Sequence, residues 1–386
     1  MKMMKIRKML LVIALAVVSS ATGTAWGNLL TNGGFEVDPD GTQVTGSDFI
    51  DTTTITDWRV FAVGGAEATF TISSAASRDG VLGMEITRGA AGADSALDRD
   101  GHWTSIPADQ RIYKQLVDVR DGGANGGSTG FGLGFQFFNA DPAFTGGRGY
   151  GMNPQADWET TGLTARSHTG DTSLGVRYNI NSGESVYLDN VDVVDATLGV
   201  NRMINGGFEN SSNRISDWRF FAVAGAAGSA TLSSDAASGN SAALLERTAA
   251  AGDSGLDIDP LRIATLGEET LQLDFASKKI SGADDARIRL SVATFNGAGG
   301  FVGDIFSGLY DPGTAAYENF SAEVTLNPDV AFVNIGFRIF DATGAHSVGA
   351  FLVDDVSVVG IPEPASLLLL LLGGAALATC QRNRCA

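Results

Sequence analysis

Asn28-Leu-Leu-Thr-Asn-Gly-Gly-Phe-Glu36 is written a second time in this chain, as Asn201-Arg-Met-Ile-Asn-Gly-Gly-Phe-Glu209. Further matching stretches follow both copies in the same order. Ile55-Thr-Asp-Trp-Arg-Val-Phe-Ala-Val63 returns as Ile215-Ser-Asp-Trp-Arg-Phe-Phe-Ala-Val223, and Asp94-Ser-Ala-Leu-Asp-Arg-Asp100 as Asp253-Ser-Gly-Leu-Asp-Ile-Asp259. Tyr187-Leu-Asp-Asn-Val-Asp-Val-Val194 returns as Leu352-Val-Asp-Asp-Val-Ser-Val-Val359. Only the loops differ, most of all through extra residues in the first copy within 38–54. Each copy is long enough for a core of its own, at about 160 residues, whereas solenoid repeats have periods of ~20–50. The chain therefore divides into two tandem modules, 28–195 and 201–360. The linker 196–200 is too short to let them tumble freely.

Within each module the apolar residues alternate as they do in strands. Phe70-Thr-Ile72, Gly134-Phe-Gln-Phe-Phe138, Val176-Arg-Tyr-Asn-Ile180, Leu271-Gln-Leu-Asp-Phe275, Arg287-Ile-Arg-Leu-Ser-Val292 and Val333-Asn-Ile-Gly-Phe-Arg-Ile-Phe340 are the clearest runs. Glycine supplies 50 of 386 residues, nearly twice the ordinary ~7 %, as many tight turns require. Short, evenly spaced strands without crossover helices predict an all-β chain of antiparallel sandwiches. Gln110–Val119 is the one stretch that reads equally well as a short helix or an extra strand.

The two ends belong to neither module. Lys2, Lys5, Arg7 and Lys8 precede the apolar Met9–Val18, and Ala25-Trp26-Gly27 places small residues where a signal peptidase cuts, before Asn28. Residues 1–27 thus read as a signal peptide. At the other end Ile361-Pro362-Glu363-Pro364 interrupts regular structure, Ala365–Cys380 is apolar, and Arg382 and Arg384 follow. This order resembles the PEP-CTERM sorting signal. The resemblance implies that Pro362, Glu363 and Pro364 are the recognition element. It also implies that the helix holds the protein in the inner membrane for a time and that an exosortase cuts near the motif. Arg382 and Arg384 would keep the end cytoplasmic. An ordinary tail anchor is the alternative, although the run falls short of the ~20 residues that span a bilayer. Cys380 and Cys385 leave lipidation open.

Removing 1–27 and 361–386 leaves 20 basic and 43 acidic residues in the folded part, and Lys114, Lys278 and Lys279 as its lysines. Nucleic acid and anionic lipid are repelled by such a surface, while divalent cations are attracted. Both cysteines lie in the tail, so core burial or metal must stabilise the modules.

An opening Asn-Gly-Gly-Phe-Glu, a following Trp and a closing Leu-Asp-Asn-Val or Val-Asp-Asp-Val strand resemble the carbohydrate-binding modules of the cellulose- and xylan-binding jelly-roll group. Phe35, Glu36, Trp58 and Asp189 carry the likeness in the first copy, and Phe208, Glu209, Trp218 and Asp354 in the second. The resemblance implies two tandem antiparallel jelly-roll β-sandwiches with a structural calcium ion in each.

Side chains alternate along a strand, which groups Tyr187, Asp189, Val191 and Val193 on one face, and Leu352, Asp354, Val356 and Val358 on one face of its counterpart. Asp189 and Asp354 are thus expected to face the core, where a carboxylate needs a partner or a metal. Glu36 and Glu209, opening the first strand, are their expected companions in a hard oxygen site for Ca²⁺. A carboxylate held by backbone amides or an arginine is the metal-free alternative. Trp58 and Trp218 read as core residues. Sugar binding needs aromatic faces outside that shared core, and Trp103, Tyr150 and Tyr310 are the candidates. Asp98-x-Asp100 and Asp257-x-Asp259 read as a solvated strand face, with a second cation site or a ligand contact as alternatives.

No His-Glu-x-x-His, no Gly-x-Ser-x-Gly and no recurring histidine point to catalysis. The expected function is that of a non-enzymatic cell-surface or matrix protein of a Gram-negative-type bacterium. It would bind or organise extracellular polysaccharide. A polysaccharide hydrolase using Asp98, Asp100 or their copies, and a structural spacer without ligand, are the alternatives.

Overall fold

Strand β2 (Arg59–Ser73) sets the shape of the first module. Its first part pairs with β4 (Asp94–Asp98) and its second with β3 (Gly83–Arg88). Between the two parts Gly64 and Gly65 take φ of +66° and +80°, a left-handed corner that glycine reaches without steric cost. The strand thereby passes from one layer of a sandwich to the other. One layer runs β8 (Phe144–Met152), β7 (Phe131–Asn139), β10 (Asp171–Ile180), β4, β2. The other continues β2, β3, β11 (Ser185–Asp195), β6 (Ile112–Asp121), β9 (Glu159–Arg166). Phe131, Leu133 and Phe135 of β7 meet Val186, Leu188, Val191 and Val193 of β11 in one core between the layers. These statements concern residues 28–89, 94–99, 101–122, 130–180, 185–210 and 214–361, which the computed structural model describes. Residues 1–27 and the tail from Pro362 onward, with the expected sorting residues, lie outside the described residues.

The second module repeats the plan with β2 broken in two. The φ values at the break, +55° at Ala224 and +84° at Gly225, lie in the same left-handed region. They separate β12 (Arg219–Val223) from β13 (Ala227–Ser233). One sheet is β12, β15 (Asp253–Asp257), β21 (Phe332–Asp341), β18 (Ala286–Phe295), β19 (Phe301–Tyr310). The other is β13, β14 (Ala242–Ala249), β22 (Gly349–Ile361), β17 (Thr270–Gly282), β20 (Glu318–Thr325). The pairings are antiparallel, as the alternation predicts. The extra residues of the first copy form β1 (Gln43–Asp51), laid along the outer edge of β2. Gln110–Val119 resolves as strand β6, and a single turn at Ser74–Ala76 is the helical segment among the described residues.

The modules dock through buried polar contacts. Glu159 has no exposure and accepts from Arg214 at 2.7 Å and Ser216 at 2.8 Å. Thr161 donates to Asp217 at 2.7 Å. Arg148 of β8 reaches across to the carbonyls of Leu261 and Arg262 and lies over the Phe332 ring. The linker is fixed too: Ala196 is buried with Ile112 and Ala264. The Arg202 side chain donates to Ala196 O at 2.9 Å and Thr197 O at 2.5 Å.

Candidate functional site

The repeated carboxylates of each module hold one shared loop, and their partners are N–H groups. Asp189 accepts from the backbone of Arg78, Asp79 and Asn190 at 2.7, 3.1 and 2.7 Å, and Glu36 from Val81 and Leu82 at 2.8 and 3.0 Å. In the second module Asp354 accepts from Ala237, Ser238 and Asp355 at 2.8, 3.2 and 2.7 Å. Glu209 there accepts from Asn240 and Ser241 at 2.6 Å each. Each pair therefore clamps one loop, 77–82 or 236–241, by its backbone. Burial pushes the Asp189 carboxyl up to about 6 and Asp354 upward, against N–H donors that favour the charged form. The donor chemistry matches an amide-held carboxylate. Ca²⁺ asks for 6–8 oxygens, and the oxygens facing the loop already accept N–H bonds. Among the described residues no group of three or more His, Cys, Asp or Glu side chains is placed to hold a metal. An ion at either pair would therefore have to draw on the remaining carboxylate oxygens and on carbonyls.

The expected face for these aspartates needs correction. Asn190 and Asp355 take φ of +49° and +51°, and at each the pairing slips by one residue. Such a bulge reverses the alternation beyond it. The core rows are Val186, Leu188, Val191, Val193 and Phe351, Val353, Val356, Val358. Asp189 and Asp354 have no exposure, yet they face the clamped loop and are not part of those rows. The opening segments are not strands either; they are turns laid against the last strand. A Cβ on Gly33 would stand 2.2 Å from Val191 O, and one on Gly206 1.9 Å from Val356 O, so the first glycine of each motif permits that approach. Trp58 and Trp218 are core residues as expected, 5.3 Å from Phe35 and from Phe208.

A ligand-sized feature lies on the outer face of the β8–β7–β10 layer. Cross-strand pairs Gly132·Gly151, Gly134·Gly149 and Gln136·Gly147 carry almost no side chain there, which leaves a shallow depression bordered by Phe144, Arg177 and Asn179. Phe144 is 61 % exposed and meets Phe138 edge-on at 6.0 Å. Trp103 stacks on Phe138 at 4.5 Å and passes 3.5 Å from where a Cβ on Gly175 would stand; Gly175 pairs with Gln136. The indole Nε1 of Trp103 and Oε1 of Gln136 are buried without a hydrogen-bond partner among the described residues. Beyond β10 the face closes under ion pairs. Arg59 holds Asp98 in a fork at 2.8 and 2.7 Å, Arg177 pairs with Asp94, and both cations lie over Phe61.

The same face of the second module is filled. Arg289 and Ser291 stand where the first module has Gly132 and Gly134, and Arg289 covers Phe340. Arg219 pairs with Asp257 at 2.9 Å and Asp259 at 3.0 Å. The aspartates of the repeated Asp-x-Asp are thus not a solvated face: Asp98 and Asp257 are buried under Arg59 and Arg219. Asp100 lies outside the described residues.

One recurrence escaped sequence reading. Phe138-Asn139 and Phe144-Thr-Gly146 match Phe295-Asn296 and Phe301-Val-Gly303 at one constant offset. In both, the Asn side chain caps the hairpin by accepting two backbone N–H bonds. Each presents an exposed Phe on a buried one. The constant spacing was a usable signal.

Of the three aromatic candidates, Trp103 lies beside the depression through its stack on Phe138 and is not part of its lining. Tyr150 points to the inner side of β8, packs on the core and borders the cleft toward Asp217 and Arg219; burial pushes its hydroxyl up to about 12. Tyr310 lies against Phe275 at 5.2 Å and Phe320 at 5.0 Å on the inner face of β19.

No protein-family model and no curated protein matches this chain. Among solved structures it is similar to the N-terminal CBM22-1-CBM22-2 tandem domain from Paenibacillus barcinonensis Xyn10C, at 12 % identity over 84 % of this chain and 99 % of that one, with a TM-score of 0.31. It is also similar to the enzymatically active domain of bacteriophage CBA120 tailspike protein 4, at 17 % identity and a TM-score of 0.34, over 42 % of this chain and 22 % of that one. A third is the arabinose-bound MgGH51 α-L-arabinofuranosidase, at 14 % identity and a TM-score of 0.34, over 43 % and 27 %.

Proposed function

We propose that this is an exported, non-enzymatic cell-surface or matrix protein that binds extracellular polysaccharide on the outer face of its first module. The observation that supports this is the exposed Phe144 at the end of a glycine floor, beside the unpartnered Trp103 N–H and Gln136 carbonyl. A pyranose ring has an apolar face to lay on an aromatic ring and hydroxyls to satisfy buried polar groups. On a glycan array the protein is expected to retain neutral polysaccharide. Phe144→Ala and Trp103→Ala are each expected to lower affinity about tenfold, equivalent to 1.4 kcal/mol, with the melting temperature of Phe144→Ala unchanged. Unaltered retention by both variants would move binding off this face.

A hydrolase would release reducing ends, and the loss of that release in Asp98→Asn would establish one. Against it, both Asp98 oxygens are engaged by Arg59. A protein that retains no glycan and releases no product would be a spacer.

Export and sorting belong to the same proposal: signal peptidase removes 1–27, the apolar tail rests in the inner membrane, and an exosortase cuts near Pro362-Glu363-Pro364. Calcium at the Glu36–Asp189 and Glu209–Asp354 pairs is also retained as a proposal. It would require the outer oxygens of Glu36 and Glu209 together with carbonyls. Intact mass of the envelope or secreted protein tests the sorting. A mature species still ending at Ala386, in cells that carry an exosortase, would refute it.

A further inference from the structure

The depression at Phe144 does not end with the first module. It shares Asn179 with a second depression around Gly132, Gly151 and Asn153. That one shares Tyr150, Met152 and Asn153 with a third, whose far wall is Arg214, Trp218, Arg219 and Pro260 of the second module. The floor of the first two depressions is the outward side of β8, where Gly147, Gly149 and Gly151 alternate with inward residues; the third begins at the end of that strand, where the inward Tyr150 and Met152, with Asn153, meet the second module. A strand of 9 residues at ~3.3 Å per residue spans about 30 Å. Arg177 is tied to Asp94, Arg214 to Glu159, and Arg219 to Asp257 and Asp259, while Arg148, which also lines the first depression, donates to the backbone carbonyls of Thr164, Leu261 and Arg262. They leave little free positive charge for an anionic ligand, and the 43 acids against 20 bases of the folded part repel one.

We propose that these depressions form one trough across both modules, built for an extended, uncharged polysaccharide chain and not for a chain end or a short oligosaccharide. The proposal rests on the polysaccharide reading and adds to it a ligand length, a ligand charge and a contribution from the second module. That contribution gives a reason for the buried polar docking of the modules: contact with one long chain requires that both halves of the trough hold a fixed alignment.

The test uses the full chain and short-to-long neutral oligosaccharide ladders of the linkage retained on the array, with a uronate polymer as the charged control. Affinity is expected to rise about tenfold or more from short to long members, and the uronate polymer is expected not to bind. Gly151→Phe places a ring in the middle of the trough. A Cβ there has Phe131 O at 3.8 Å as its nearest neighbour, so the fold accepts it, as an unchanged melting temperature will confirm. This variant is expected to keep wild-type affinity for the shortest members and lose the gain with length, while Phe144→Ala weakens every length. Equal affinity for short and long chains, or a length gain that survives Gly151→Phe, overturns the trough and leaves the polysaccharide reading standing. Preference for the uronate polymer overturns its neutral character. Absence of binding at every length removes the reading beneath it, and the trough with it.

Discussion

Arg202→Ala is expected to destabilise the protein by about 3–5 kcal/mol, the loss typical when one partner of a buried ion pair is removed. Arg202 has no exposure. It holds Glu269 in a fork at 2.7 and 2.8 Å and donates to the linker carbonyls of Ala196 and Thr197. Alanine would leave the Glu269 carboxylate buried with only the Leu266 N–H, at 2.8 Å, among its present partners. It would also release the linker from the second module. The double variant Arg202→Met, Glu269→Met separates these effects. Removing both charges together is often near neutral where apolar side chains fill the space, so most of the stability is expected to return. Urea melts of the three proteins measure this. A single variant as stable as wild type, or a double variant no better than the single, would show that the fork is not what fixes the linker.

Tandem modules, strand positions and the Trp58 and Trp218 core places were legible because they depend on local pattern, and the duplication reports each of them twice. The facing of Asp189 and Asp354 was not. Strand parity is a count, and one left-handed residue shifts the count for everything beyond it. Asn190 and Asp355 are residue types that visit that region, but their type does not say that they do. The face proposed for binding was legible in part. Trp103 stood out as an aromatic outside the shared core. The floor it borders is made by glycines on separate strands, whose register no single stretch records. The inward placement of Tyr150 and Tyr310 was hidden for the same reason: in a strand, one position decides whether a ring faces solvent or core. The Asp-x-Asp pair was misread because its arginine comes from β2 in the first module and β12 in the second, far away in sequence.

The duplication also separates what the two modules share from what differs between them. What both modules share is the clamp, the Phe–Trp stack, the Arg–Asp fork and the capped hairpin. The glycine floor belongs to the first module alone, where the second has Arg289 and Ser291. Two copies of one scaffold have therefore diverged on that outer face and stayed alike where they hold themselves together.

Asp354→Ala tests the shared clamp. The side chain is fully buried and accepts three backbone N–H bonds, from Ala237, Ser238 and Asp355. Each buried donor left without a partner costs about 1–3 kcal/mol, and water entering from the loop side recovers part of it. The expected loss is about 3–5 kcal/mol, a fall of roughly 10 °C in melting temperature for a domain of this size. Asp354→Asn keeps one acceptor oxygen but turns an NH₂ toward the donors, so it should lie near the alanine variant. Asp355→Gly is the control one residue on. Its φ of +51° suits glycine, its side chain accepts from the Ser238 hydroxyl at 2.6 Å, and its melting temperature should move little. The same melts test calcium. An ion added to the clamp would stabilise the folded state by RT ln(1 + [L]/Kd), about 2.7 kcal/mol at 100 times its Kd. Chelator would then lower the wild-type melting temperature and leave that of Asp354→Ala where it was. Wild-type curves that coincide in calcium and in chelator, together with a large loss in Asp354→Ala, would leave backbone amides as the clamp's whole account. A small loss in Asp354→Ala would end the clamp as the reason both copies keep this carboxylate.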